Sequence, residues 1–102
     1  MLSLEEFKTA RSVLHGVIRP TDLIYSPALS KGCGNQVYLK PENRQRTGAF
    51  KVRGAYYKIS TLTDEERSRG LITASAGNHA QGVAYAAREC GARAVIVMPT
   101  TT

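Results

Sequence analysis

The 102 residues hold two cysteines, two histidines, no long apolar run and only eight acidic side chains. Each scarcity removes a class of answer. Cys33 and Cys90 lie far apart and lack metal-motif spacing, so both are expected to be free thiols in a reducing cytoplasm. His15 and His79 are too few and too isolated for a metal centre, and no metal is expected. No stretch approaches the ~20 apolar residues of a membrane span. The first turn carries Glu5 and Glu6, where a signal peptide would be basic and then apolar. Neither membrane insertion nor secretion is expected. The shortage of acid leaves fourteen basic residues and a formal net charge of +6, which raises the question of nucleic-acid binding. The basic residues are spread over the whole length, and no basic run interleaves with aromatics. Nucleic acid is therefore not an expected partner.

What remains is the composition of a soluble globular protein, 42% apolar and 22% charged. Ser3-Leu4-Glu5-Glu6 is a capping box, followed by Leu4, Phe7, Ala10 and Leu14 at helical spacing. Arg19-Pro20-Thr21 ends any helix, and Tyr25-Ser26-Pro27-Ala28-Leu29 reads as an extended loop. The turn-rich Lys31–Asn35 leads into a short strand, Val37-Tyr38-Leu39. A helix is predicted over 50–60, and a second capping box, Thr63-Asp64-Glu65-Glu66, opens a short helix that stops at Gly70. Strand 71–74, helix 79–90 and strand 94–98 form a strand–helix–strand unit, which implies parallel pairing with a right-handed crossover. Ala94–Met98 reads as a strand buried on both faces.

Two segments carry chemistry. In Thr47-Gly48-Ala49-Phe50-Lys51-Val52-Arg53-Gly54-Ala55, a lysine flanked by apolar residues stands at the start of a helix. That setting suits an imine-forming amine. The positive end of the helix disfavours the charged amine by at most ~2 kcal/mol, so desolvation or a covalent bond must supply the rest. By itself the nonamer also describes a snorkelling lysine on an ordinary helix. In the second segment, Leu71–Ala74 runs into Ser75-Ala76-Gly77-Asn78-His79-Ala80-Gln81-Gly82 and then into a helix. Strand, small-residue loop and helix N-terminus form an anion-binding geometry, because the first N–H groups of the helix have no partner within it. Alone, this octamer is equally a strand-to-helix turn capped by asparagine.

Together, Lys40–Ala55 and Ser75–Gly82 resemble the threonine dehydratase (threonine ammonia-lyase) family, over about Ile18 to Pro99 and with the family's spacing between the two motifs. The resemblance implies an α/β fold of the tryptophan synthase β-like type (fold type II), with parallel strands and flanking helices, incomplete in this chain. Residues 1–36 would be an N-terminal helix and lead-in, and 37–102 the start of the small α/β subdomain. It implies pyridoxal 5'-phosphate as cofactor, held by Lys51 as a Schiff base, with Phe50 beside it and Asn78 on the pyridine 3-hydroxyl. Ser75, Gly77, Asn78 and His79 would grip the substrate carboxylate. The implied reaction is β-elimination from L-threonine to 2-oxobutanoate and ammonia, with L-serine as second substrate and Lys51 as general base. A cytoplasmic enzyme of amino-acid metabolism and isoleucine biosynthesis, homo-oligomeric at full length, goes with it.

Two positions depart from wider patterns. Ala49 replaces a serine common among relatives. Ala76 stands where serine racemases place an acid/base serine, and alanine cannot move a proton, so elimination is favoured over racemisation. The glycine-rich loop that cradles the cofactor phosphate in this family has no counterpart among the nine glycines. The chain is accordingly expected to be an N-terminal fragment, inactive by itself. The alternatives are a serine racemase, another fold-type-II enzyme, or a non-catalytic truncated chain.

Overall fold

A computed structural model describes residues 1–102. The first helix, α1 (Leu4–Leu14), opens on the expected capping box: Ser3 Oγ accepts the Glu6 N–H at 3.3 Å, and the Glu6 carboxylate accepts the Ser3 N–H at 2.6 Å. That backbone hydrogen bond holds the Glu6 carboxyl below its ordinary range. The helix buries only Leu14 and leaves Leu4 and Phe7 exposed.

The next segment differs from the sequence expectation. Ile24–Tyr25 forms strand β1, paired antiparallel with β2 (Tyr38–Leu39), and the Tyr25 and Tyr38 ring centroids lie 5.4 Å apart. Between them Pro27–Cys33 is a helix, α2, and not a loop followed by a turn. The physical reason is local. Ser26 caps the helix by accepting the Leu29 N–H, Pro27 occupies the first helical turn where its missing N–H costs nothing, and Gly34 at φ +71 closes the helix in the left-handed region. Proline read as a breaker is here a helix starter. A short 3-10 turn (Glu42–Arg44) follows.

The remaining elements lie close to their expected places. Helix α3 runs Lys51–Ser60, α4 Asp64–Ser68, β3 Leu71–Ala74, α5 Asn78–Glu89 and β4 Ala94–Val97. The second capping box is present at Thr63 and Glu66. Strands β3 and β4 pair in parallel, Leu71 opposite Ala94 through Ala74 opposite Val97. The core is the seam between α3 and α5, where Ala55 and Ile59 meet Val83 and Ala86, with Tyr56, Leu71, Cys90 and Ala94 packed around them. Val52, fully buried, extends this seam to the start of α3.

The parallel pair is covered on one face only. Leu71, Thr73, Ala94 and Ile96 are half-buried, while Ile72, Val95 and Val97 are exposed. The β4 sequence suits burial on both faces, and within these 102 residues no element lies over the second face, which leaves its apolar side chains uncovered. Cys33 and Cys90 are free thiols. No helix is long and apolar enough to cross a membrane.

Candidate functional site

Lys51 is the first residue of α3. A type of turn unsuited to most side chains precedes it: the Gly48 N–H donates to the Gln45 carbonyl at 2.9 Å, and Gly48 sits at φ +72. The helix therefore starts three residues after Gly48, and its opening bond is the Arg53 N–H to the Phe50 carbonyl at 3.0 Å. The Lys51 side chain is exposed and takes part in none of the ion pairs of the chain. Its Nζ lies 5.4 Å from the centroid of the Phe50 ring, which is itself exposed. Phe50 and Lys51, adjacent in the chain, thus place an aromatic ring beside the amine.

The 75–79 loop is built by the sheet. The Ser75 N–H donates to the Val97 carbonyl at 3.0 Å, which extends the β3–β4 ladder by one residue and fixes where the loop begins. Ser75 Oγ then accepts from two N–H groups, Gly77 at 3.3 Å and Ala80 at 3.2 Å. It does the work of a cap for α5 from two residues upstream, since Gly77, the residue before the helix, has no side chain to offer. The N–H groups of Ala76, Asn78 and His79 make no hydrogen bond within the chain. Three free donors beside the positive end of a twelve-residue helix form a niche for an anion. The Asn78 and His79 side chains are exposed. The Ser75 hydroxyl keeps its own proton to donate.

One contact brings the two motifs together. Helix α5 crosses α3 at Gly82, where a Cβ would stand 3.1 Å from the Lys51 carbonyl carbon and from the Val52 nitrogen. Asn78 precedes Gly82 by four residues and shares its face of the helix. Lys51 and Asn78 are thus carried on two helices that touch one turn from the niche. The octamer Ser75–Gly82 contains this glycine, but its role was not legible in the motif. Its signal is the run of buried small residues Ala80, Gly82, Ala86 and Ala87 at helical spacing.

A second set of residues was missed from sequence. Arg53 grips Glu42 through two nitrogens, Nε at 2.8 Å and an Nη at 2.6 Å. Thr21, buried, donates its hydroxyl to the same carboxylate, and Lys40 Nζ donates to the Thr21 carbonyl. Gln45, also buried, mimics a strand partner: its Oε1 accepts the Arg19 N–H at 2.8 Å, and its Nε2 donates to the Arg19 carbonyl at 2.9 Å. The Arg53 hydrogen bonds pull the Glu42 carboxyl down to about 2, and Thr21 and Gln45 add to the effect. Arg53 therefore belongs to a structural ion pair and adds no free positive charge for an anionic ligand. A concavity of about 1000 Å³ lies between α1 and α3 and is lined by neither Lys51 nor any of residues 75–79.

The protein-family profile described as "Pyridoxal-phosphate dependent enzyme" matches residues 14–102. The chain is 56% identical over 99 residues to an L-threonine ammonia-lyase of Thermotoga maritima, covering 97% of this chain and 25% of that protein. Among solved structures it superposes on a threonine deaminase isoform of Solanum lycopersicum with a TM-score of 0.81 and 44% identity, covering all of this chain and 29% of that one. It superposes on a serine racemase of Dictyostelium discoideum with a TM-score of 0.91 and 34% identity, over 97% of this chain and 33% of that one. The chain thus spans about a quarter of the length of the curated relatives it matches.

Proposed function

The chain belongs to the pyridoxal-phosphate dependent enzymes, and from that premise we propose that it supplies the lysine and the carboxylate niche of an enzyme that deaminates L-threonine to 2-oxobutanoate and ammonia. L-Serine is the second substrate, since a missing methyl group discriminates by only ~1–3 kcal/mol. The observation that carries this reading is the unpaired Lys51 amine on a helix whose first peptide touches α5 at Gly82, one turn past the free N–H groups of Ala76, Asn78 and His79.

The residues present fit pyridoxal 5'-phosphate. Lys51 is an exposed primary amine that takes part in no ion pair, the functional group that forms an imine with an aldehyde. Phe50 lies within 5.4 Å of that amine and offers an apolar surface to the ring. Asn78 at the start of α5 supplies an amide for the ring hydroxyl. When bound, the cofactor withdraws electrons from the substrate α-carbon and makes its C–H bond acidic.

This chain's own residues do the rest. The N–H groups at 76, 78 and 79, with the Ser75 hydroxyl, hold the substrate carboxylate through hydrogen bonds worth about 1.5–3 kcal/mol each. Gly77 leaves the backbone open to a close approach, and His79 shapes the rim of the niche. With the carboxylate held and the substrate's own amine having displaced Lys51 from the cofactor, the freed Lys51 amine would take the α-proton as general base. Loss of the β-hydroxyl and hydrolysis then give the oxo acid and ammonia.

A serine racemase is the second reading, favoured by the TM-score of 0.91 to such an enzyme. Ala76 weighs against it, because a methyl group carries no proton to the opposite face of the α-carbon. A cytoplasmic, homo-oligomeric full-length enzyme is compatible with either reading.

Lys51→Ala in the full-length holoenzyme tests the proposal. Loss of the visible absorbance of lysine-bound cofactor, together with loss of 2-oxobutanoate from threonine, is the expected result. D-Serine formed faster than the oxo acid by the unmodified enzyme would instead establish the racemase.

A further inference from the structure

Resting on the assignment of Lys51 above, we propose that Gly82 is a positioning residue for the reaction: it sets the distance between the Lys51 amine and the anion niche. Glycine inside a helix destabilises it relative to alanine. Gly82 is not among the glycines at positive φ, so the backbone conformation does not call for it. Space does. A Cβ at this position would meet the Lys51 carbonyl carbon and the Val52 nitrogen at 3.1 Å and the Lys51 oxygen at 3.2 Å. These are backbone atoms and cannot swing aside as a flexible side chain could. Gly32 and Gly54, also inside helices, have nothing within 4 Å of the same position.

The consequences fall on both halves of the site. On the α3 side, the peptide that would be pushed carries the Lys51 side chain. Arg53, two residues on, ties that helix to Glu42 with bonds of 2.6 and 2.8 Å, so α3 is not free to slide away. On the α5 side, one helical turn leads from Gly82 to Asn78, and Ser75 clamps the loop to both the helix and the sheet. An added methyl group at Gly82 therefore opens the gap between amine and niche by a few tenths of an ångström and leaves each half intact.

The test uses the full-length holoenzyme with Gly82→Ala, and Gly54→Ala as the control. Turnover is counted per lysine-bound cofactor, so unfolded or unloaded molecules drop out. The Gly82→Ala enzyme is expected to lose kcat/KM for threonine on the order of fivefold, scaled from the roughly 100-fold that a 1 Å misplacement costs. Its cofactor-free form should take up pyridoxal 5'-phosphate more weakly, and the pH midpoint of the bound absorbance should move. Gly54→Ala should match the unmodified enzyme. Gly82→Ala equal to the unmodified enzyme in kcat/KM, uptake and pH midpoint overturns the proposal, whatever happens to its melting temperature. So does a Gly82→Ala protein that cannot be isolated folded, since the glycine would then serve the core alone. Failure of the lysine assignment is distinct: it would be cofactor still attached in Lys51→Ala.

Discussion

Single side chains here divide into those that are engaged within the chain and those that are free, and charge does not tell them apart. Arg53 and Lys51 are two residues apart on one helix, yet Arg53 is spent on Glu42 while Lys51 has no partner. The Glu42–Arg53 pair makes a prediction with a definite sign. The Glu42 carboxyl is lowered from 4.5 to about 2, chiefly by its hydrogen bonds from Arg53. A depressed carboxyl contributes stability that is fully present above 4.5 and is lost as the pH falls toward 2. The full shift corresponds to a ceiling of about 3 kcal/mol. Glu42→Gln in the full-length protein should therefore lower the urea midpoint near neutrality and remove the part of the acid sensitivity that lies between pH 4.5 and 2. Equal midpoints for the two proteins at neutral pH would show that the pair contributes nothing. This role was not legible in the sequence, because a bidentate pair between residues 42 and 53, with a buried threonine from position 21, is a tertiary fact.

At the scale of elements, local signals were readable where a residue type has one physical use. Both capping boxes, the parallel pair and the two long helices around the motifs lie where residue chemistry put them. The misreading at 25–35 came from residues with two uses, since Ser26-Pro27 can start a helix as well as break one. Ser75 shows the same ambiguity at the site. The octamer assigns its hydroxyl to a substrate carboxylate, and the fold also gives it the caps of Gly77 and Ala80. Ser75→Ala in the full-length enzyme should then do two things at once. Loss of the cap should cost about 1 kcal/mol of stability, seen as a lower denaturant midpoint. Loss of the donor to the carboxylate should raise KM for threonine on the order of tenfold, the equivalent of a charged hydrogen bond. A stability loss with KM unchanged would reduce Ser75 to a cap. The crossing at Gly82 was the least legible part of the site, because a close helix contact depends on what lies opposite and not on the glycine alone.

Taken whole, the 102 residues bring the two motifs together on a thin core. Thirteen residues are buried, nine of them hydrophobic, and most of those lie in one seam between α3 and α5. The radius of gyration is 16.5 Å, against about 13 Å for a compact domain near this length. Ile72, Val95 and Val97 form an open apolar face on the strand pair, and Leu4 and Phe7 are exposed on α1. Fixing the backbone costs about 1–2 kcal/mol per residue, and a burial this small does not offset it. The strand pair also presents open edges. The 102-residue polypeptide alone is therefore expected to bind a hydrophobic dye, to keep helical circular dichroism without fixed tertiary signals, and to lack a cooperative thermal transition. A sharp melt with equal calorimetric and van't Hoff enthalpies would refute this. The expectation bears directly on the chemistry. The Lys51–Asn78 geometry rests on the α3–α5 seam alone, so a loosely packed chain would present the amine and the niche at no fixed separation. Borohydride with pyridoxal 5'-phosphate should then label the lysines of the isolated polypeptide without preference, whereas labelling concentrated at Lys51 would mean that the seam suffices to build the site.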